Sequence, residues 1–520
     1  MDYLMQKIKV EGLKSLRDSG DFELKKINIL VGNNSSGKST FLRIFPLLRQ
    51  SVEKKTRGPI LWNGLYIDFG SFDTAIHKKF FNGEVKNEDE LFFTFQLSYN
   101  RKKYHHSFIN EEPVELICKI GMMRSNSGLS CYTASYQVKM YNHTIFFKFD
   151  EDGVITDISS DRLSWPLKKH DLKYQITDTD NLLPILISPS SGLVDAKGKQ
   201  ISTALFNQVV QLFKNYSGSS SSNKLQAMAT RFLRNSVNDN NKLALLRKMN
   251  STAKWEKETL SWDVNSKKFR FISGLADLYY LIENSANIND SMTNELLGVR
   301  YIAPLRTSTA RYYRHQDLSI DELDHRGDNI GMFISNITGK WREELNKWTK
   351  SEFGFVINVD LNSNHISINL QYADSDLSDN ISDMGFGFSQ VLPIIIQLWA
   401  VSSGYENSKR SRKINSYIFA IEQPELHLHP KMQASLSIVF INAIELANNN
   451  GIELKLIIET HSESIISKMG NLISKGKIAN DMIGVSLFEQ DRESRETKII
   501  SANFDQNGFL NNWPLGFFDY

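Results

Sequence analysis

Residues 27–40 read Ile-Asn-Ile-Leu-Val-Gly-Asn-Asn-Ser-Ser-Gly-Lys-Ser-Thr, an apolar strand that runs straight into G-x-x-x-x-G-K-S. No other feature of the chain constrains its fold as tightly. Gly32 permits the sharp turn that leaves the strand, and Gly37 lets the backbone approach an anion with no Cβ in the way. The main-chain N–H groups of Asn33, Asn34, Ser35, Ser36 and Gly37, with the start of a helix predicted over 39–45, form a cradle for phosphate. Lys38 is placed to bridge β- and γ-phosphates, Ser39 to ligate Mg²⁺, and Thr40 to extend the loop into the helix. Residues 32–40 are therefore candidates for binding a nucleoside triphosphate, ATP with Mg²⁺. A strand of this kind belongs in a parallel sheet covered by helices, so the fold class is α/β.

Composition narrows the setting. Hydrophobic residues at 41% and charged residues at 23% describe a globular chain. A formal net charge of +2 gives no whole-protein argument for nucleic acid, so any such surface is local. The two cysteines, Cys118 and Cys131, have no metal-ligand spacing and suit a reducing, cytoplasmic compartment. The N-terminus carries no apolar leader segment, and a leader is not expected. The apolar run around Val391–Val401 is interrupted by Pro393 and Gln397 and is too short for a bilayer, so no membrane contact is expected.

The pattern along the chain divides it into three. Residues 1–195 hold the P-loop and an antiparallel β-rich lobe, with alternating stretches at Leu91–Phe95, Val114–Ile120, Tyr136–Met140 and Thr144–Phe149. A first strand over Met5–Val10 is expected to pair with Phe22–Leu24 and with the P-loop strand. Residues 196–298 read as a helical insertion, in which Ser217–Ser222 is a flexible loop. Residues 299–520 alternate helix and apolar strand, with a strand at Val299–Ile302, a helix near Asn329–Glu352, hairpins at Phe355–Tyr372 and 483–500, and a helix at Val391–Ala400.

A second set of residues looks like the other half of a nucleotide site. Tyr417-Ile418-Phe419-Ala420-Ile421-Glu422 is an apolar strand ending in a carboxylate, followed by Gln423-Pro424-Glu425. A strand beside the P-loop strand that ends in an acid commonly completes the Mg²⁺ shell, which makes Glu422 the metal candidate with Ser39. Leu454–Glu459 is another buried-type strand, and His461 after it is expected near the γ-phosphate, beyond the strand ends. Gly385 and Gly387, with Ser389 and Gln390 at the start of a helix, form a second anion-ready segment. His427 and His429 near Glu425 admit a metal reading, but their spacing lacks further ligands, and an interface position is preferred. The basic runs Lys409–Lys413 and Arg101–His106 could contact DNA or RNA, although short basic runs are more often solvated loops.

Taken together, these motifs resemble an ABC-type ATPase head of the RecF and SMC kind: a P-loop parallel-sheet core plus an antiparallel β lobe, here with a helical insertion. Within that group they are most similar to AAA-type ATPases related to OLD proteins and to Septu- and retron-associated phage-defence ATPase subunits (PtuA-like). The resemblance rests on the P-loop, Tyr301–Arg306, Gly385–Pro393, Ile421–Pro430, Glu459–Glu463 and Trp513–Asp519. It implies that Gly385–Gln390 stands where the ABC signature acts in trans on a partner's ATP, and that His461 is the switch histidine. It also implies that His429 lies in the D-loop. Asp68, Ser71 and Asp73 are candidates for the Q-loop position. The family's acidic strand ends Asp-Glu-Pro, whereas this chain has Glu422-Gln423-Pro424. A glutamine cannot accept a proton but can orient a water, so either Gln423 positions the water and hydrolysis is slow, or Glu425 is the base.

The implied function is a cytoplasmic ATPase that forms a homodimer or higher assembly around ATP and regulates a separate effector, an HNH-type nuclease, in anti-phage defence. No nuclease motif is apparent in the chain itself. The alternatives are a RecF-like repair or recombination ATPase acting directly on DNA, and an ATP-locked scaffold that does not hydrolyse. The P-loop reading makes one direct prediction: Lys38→Ala removes the fixed cation between the phosphates and abolishes ATP binding in a fluorescent-nucleotide titration, whereas unchanged affinity refutes the site.

Overall fold

A strand as apolar as Ile27–Gly32 is stable only where both of its faces are covered. The computed structural model of the chain describes residues 3–512 apart from 82–83, 88, 100–113, 127, 129, 164–180, 187–200, 219, 235–237, 308, 363 and 373–376. In it all six residues of this strand are buried. The basic run Arg101–His106 and the closing segment Trp513–Asp519 lie outside the described residues. The chain groups into two compact units, one made of Met1–Glu23, Ser51–Asn63 and Phe69–Asn294, the other of Leu24–Gln50, Gly64–Asp68 and Glu295–Tyr520.

The second unit holds the P-loop. Its seven-stranded sheet runs in the order Val299–Ile302, Ser416–Glu422, Glu453–Glu459, Ile27–Gly32, Ile483–Gln490, Thr497–Phe504, Leu510–Asn511. The first five strands are mutually parallel, Thr497–Phe504 returns antiparallel, and Leu510–Asn511 pairs antiparallel with it in turn. Helices Phe386–Ser402, Pro430–Asn449 and Glu463–Ser474 contribute to a core that includes Leu392, Trp399, Phe440 and Ile466. Fold class α/β with a P-loop parallel sheet is thus what the chain adopts. One expectation about this sheet fails. Ser416–Glu422 is not beside the P-loop strand, because Glu453–Glu459 lies between them. Both strands are continuous apolar runs ending in glutamate, and local pattern does not encode the lateral order of such strands.

The first unit holds an antiparallel sheet in the order Ile155–Ser160, His143–Phe149, Cys131–Met140, Val114–Arg124, Glu90–Tyr99, Tyr3–Leu13, Leu16–Asp18, with Phe22–Glu23 also paired to Tyr3–Leu13. Burial alternates along Glu90–Tyr99, as in a sheet with one covered face. The first strand therefore pairs with Glu90–Tyr99 and not with the P-loop strand. The same unit contains helices Ile201–Ser217, Ser222–Leu233, Asp239–Lys248 and Ala253–Leu260, and most of the 31-residue helix Lys267–Leu297.

Two local expectations change for reasons of capping. The serine-rich stretch is a helix stop followed by a helix start. Ser217 Oγ donates back to Phe213 O, and Ser221 Oγ accepts from Lys224 N as an N-cap. The helix expected near Asn329–Glu352 is two helices, Ile330–Ser335 and Lys340–Phe353, divided ahead of Gly339 at φ +56°.

The turn out of the P-loop strand sets the tightest backbone requirement. Gly32 has φ +149°, and a Cβ there would lie 2.2 Å from Phe488 O of the neighbouring strand. At Gly476 (φ +65°) a Cβ would meet nothing within 4 Å. Gly476→Ala should cost only the left-handed penalty of about 1–2 kcal/mol, and Gly32→Ala should cost more. Urea denaturation midpoints of the two variants check the order, and equal losses would refute it.

Candidate functional site

The P-loop presents Asn33, Asn34 and Ser35 to solvent, buries Ser36, Gly37 and Lys38, and leaves Ser39 and Thr40 half-buried. Ser35 and Gly37 take φ of +64° and +97°, which turns the loop back on itself. Ser36 N donates to Asn33 O at 3.3 Å, and Thr497 Oγ1 donates to Ser36 O at 2.9 Å, anchoring the loop to the sheet. The helix beginning at Lys38 leaves its first N–H groups unpaired along its axis, as any helix does. Lys38 Nζ is folded across the loop, donating to Gly32 O at 2.9 Å and Asn33 O at 2.7 Å. Burial lowers its pKa, while the charges of Glu459 and Glu425 oppose that shift. A phosphate oxygen would offer this ammonium a stronger, charge-assisted partner than two carbonyls do.

Glu422 and Glu459 close the ends of adjacent parallel strands in direct register. Ser39 and Arg43 stand one helical turn apart, on one face of the segment that follows the loop. Ser39 Oγ donates to Glu459 Oε1 at 2.8 Å. Arg43 Nε and Nη2 donate to Glu422 Oε1 at 2.7 Å and Oε2 at 2.8 Å, and Tyr301 Oη donates to Glu422 Oε1 at 2.8 Å. The sequence reading pairs Ser39 with Glu422; in the structure the acid beside Ser39 is Glu459, and Glu422 is held by Arg43 and Tyr301. The reason is the strand order, which sets Glu459 next to the P-loop. Glu459 Oε2 is buried with no hydrogen-bond partner. Burial and the neighbouring charge of Glu422 push the Glu459 carboxyl up to about 7, against the hydrogen bond from Ser39. A hydroxyl next to a buried carboxylate with a spare oxygen fits a hard dication. Among the described residues, no group of three or more His, Cys, Asp or Glu is placed to hold a metal. A cation bound here would rely on Ser39, one or two carboxylates, water and nucleotide phosphates, as Mg²⁺ commonly does.

Beyond the strand ends, Gln423 is half-buried at φ +43°, with its N–H donating to Glu459 O at 2.9 Å. Glu425 is buried. Its Oε1 accepts from His461 N at 2.6 Å, and its Oε2 has no partner. Burial raises its pKa, opposed by the hydrogen bonds from His461 and Thr460. His461 is exposed, and desolvation and then the charge of Lys38 lower its pKa, which favours a neutral imidazole. His429 caps helix Pro430–Asn449, its Nδ1 accepting from Lys431 N at 3.3 Å, and its side chain is exposed.

The Gly385–Gln390 segment opens helix Phe386–Ser402, with Gly385 exposed at φ +82°. Gly387 packs against the turn at His427, where an added Cβ would lie 3.1 Å from His427 O. Ser389 is only 2% exposed and Gln390 is likewise buried. In this conformation, then, the hydroxyl expected to meet a partner's nucleotide points inward, and the accessible part of the segment is around Gly385. In the Lys409–Lys413 run, Arg410 turns inward to Glu322 at 3.2 Å.

Three residues near the site have a sequence signal that does not by itself state their role. Glu459 ends an apolar strand just before Thr460-His461, and Tyr301 and Arg306 bound the Tyr301–Arg306 motif. Arg43 had no signal beyond its helical spacing from Ser39.

The model of the AAA ATPase domain family matches residues 5–466. Among solved structures, the SMC head domain from Thermotoga maritima is similar at 8% identity, covering 96% of this chain and 99% of that one at a TM-score of 0.33, a likeness too loose to argue from. No curated protein matches the chain.

The raised Glu459 carboxyl has a stability consequence in metal-free, nucleotide-free protein. With a folded pKa of about 7 against the ordinary glutamate value of 4.5, the folded state binds more protons than the unfolded chain between those pH values. Stability from this group is therefore present at low pH and lost as pH rises from about 4.5 to about 7, by up to about 3 kcal/mol. Glu459→Gln should flatten that decline, and urea midpoints at pH 5 and pH 8 test it. A parallel decline in both proteins counts against the assignment.

Proposed function

The chain belongs to the AAA ATPase domain family, and we propose that it binds and hydrolyses ATP at the P-loop, with Mg²⁺ held by Ser39 and Glu459 and steadied by Glu422. The observation that carries this reading is the register pair Glu422–Glu459 set against Ser39 and Arg43 beside Lys38. A Mg²⁺ ion held by Ser39 and Glu459 would supply positive charge against the nucleotide phosphates. Lys38 then leaves the carbonyls of Gly32 and Asn33 for the phosphates. Glu425 accepts the proton of the attacking water through Oε2, Gln423 orients that water, and neutral His461 donates to the γ-phosphate region.

We further propose that Gly385, Gly387, Ser389 and Gln390 complete the site of a second copy, so that ATP favours a homodimer or higher assembly. Because Ser389 lies inward in the single chain, that contact requires the segment to shift, which is one source of slow turnover. The effector role rests on resemblance of motif order alone: a cytoplasmic ATPase that controls a separate HNH-type nuclease in anti-phage defence. Contact with DNA or RNA through Lys409–Lys413 belongs to the same reading. No helix among the described residues is long and apolar enough to cross a membrane.

Steady-state phosphate release tests the chemistry. Wild type should exceed Lys38→Ala, and Glu425→Gln should lose about 10²–10⁴-fold, the usual contribution of a general base. Gln423→Ala should lose less. Turnover that survives Glu425→Gln assigns the base elsewhere, and release no faster than in Lys38→Ala overturns the ATPase reading.

A further inference from the structure

Arg306 is 5% exposed, and among the described residues no carboxylate forms an ion pair with it. Its Nη2 donates to the carbonyls of Glu422 at 2.9 Å and Gln423 at 3.4 Å, while Nε and Nη1 are buried without partners. Burial drags its pKa down to about 10, only partly offset by the charges of Glu425 and Glu422. An uncompensated buried guanidinium is costly, and the bonds that Arg306 does make indicate what it serves.

On one side it grips the turn after the Glu422 strand. Gln423 there holds a left-handed φ of +43°, a conformation that costs a non-glycine residue about 1–2 kcal/mol. On the other side its backbone is bracketed by a single side chain. Arg306 N donates to Gln390 Oε1 at 3.3 Å, and Gln390 Nε2 donates to Arg306 O at 3.2 Å. Gln390 sits in the first turns of helix Phe386–Ser402. Gln423 N donates to Glu459 O, and Glu459 accepts from Ser39. An unbroken chain of bonds thus runs from Gln390 through Arg306 and Gln423 to Glu459 and Ser39.

We propose that Arg306 is a positioning residue that couples the Gly385–Gln390 segment to the Ser39–Glu459 metal position within one chain, so that moving the segment changes how tightly that chain holds Mg²⁺–ATP. The inference deepens the proposed function and rests on its placement of Mg²⁺; the arrival of a second copy of the chain is what would move the segment. Both bonds leave from Nη2, and the rigid planar guanidinium holds that nitrogen in a fixed direction, which the flexible, point-like lysine ammonium does not.

The test is a mutant cycle read by fluorescent-ATP affinity in dilute protein, with Mg²⁺ and with EDTA. Gln390→Ala should weaken binding about fivefold or more with Mg²⁺ and little in EDTA, because the chain of bonds ends on the metal side of the site. Arg306→Ala should do the same, and the double variant should be no worse than either single one, the signature of residues acting in one network. If Arg306→Ala does not fold, Arg306→Lys takes its place in the cycle. A merely structural role instead weakens both conditions alike. Losses that multiply in the double variant, or no Mg²⁺-specific effect of Gln390→Ala, overturn the proposal. Sedimentation with ATP separates this from the assembly reading: no self-association with the cycle intact removes only the dimer, and self-association with an additive cycle removes only the coupling.

Discussion

Two glutamates at the ends of adjacent strands, in register and buried, repel one another, and the remainder of the site is arranged around that repulsion. Neighbouring strands lie about 4.8 Å apart, so burial, with the charge of Glu422, raises the Glu459 carboxyl. The compensation is unequal. Arg43 and Tyr301 satisfy Glu422, whereas Glu459 receives only the hydroxyl of Ser39 and keeps a buried oxygen unpartnered. The missing positive charge is therefore located at one place, next to the loop that takes phosphate.

This asymmetry separates what the sequence shows from what it hides. The P-loop is legible because its requirements are local: glycine at the positive-φ positions 32 and 37, a lysine one residue on from Gly37, and a strand before and a helix after. The identity of the carboxylate beside Ser39 is not legible. Two apolar strands end in glutamate, and only their lateral order decides between them. The same limit explains the mistaken partner of Tyr3–Leu13, which pairs with a strand far along the chain. Helix ends fared better or worse according to capping, so a serine-rich stretch that reads as flexible contains an N-cap at Ser221.

Burial was the second hidden variable. Motif resemblance sets Ser389 at a surface that meets another subunit, yet the period of a helix beginning at Phe386 turns positions 389 and 390 toward the core, where Gln390 finds Arg306. The resemblance names positions in a chain; the helix phase determines which of them face solvent.

The turn from Gln423 to His429 shows how the chain holds a strained segment rigid. Gln423 and His427 both take left-handed φ values, each a cost that persists only when the surroundings over-determine the backbone. Four independent ties do so. Arg306 holds the carbonyls of Glu422 and Gln423, and Glu459 O takes the Gln423 N–H. Glu425 takes the His461 N–H, and Gln433 Nε2 donates to Leu428 O at 3.0 Å while Gln433 Oε1 accepts from Ser462 Oγ. These ties reach the start of helix Phe386–Ser402, the acidic strand ends and the start of helix Glu463–Ser474. Glu425 is thereby fixed before any nucleotide arrives, so binding energy need not be spent on forming the turn. On the proposed reading, what nucleotide would supply is smaller and more specific: the charge that would draw Lys38 off two carbonyls, and a cation for the oxygen of Glu459 that has no partner.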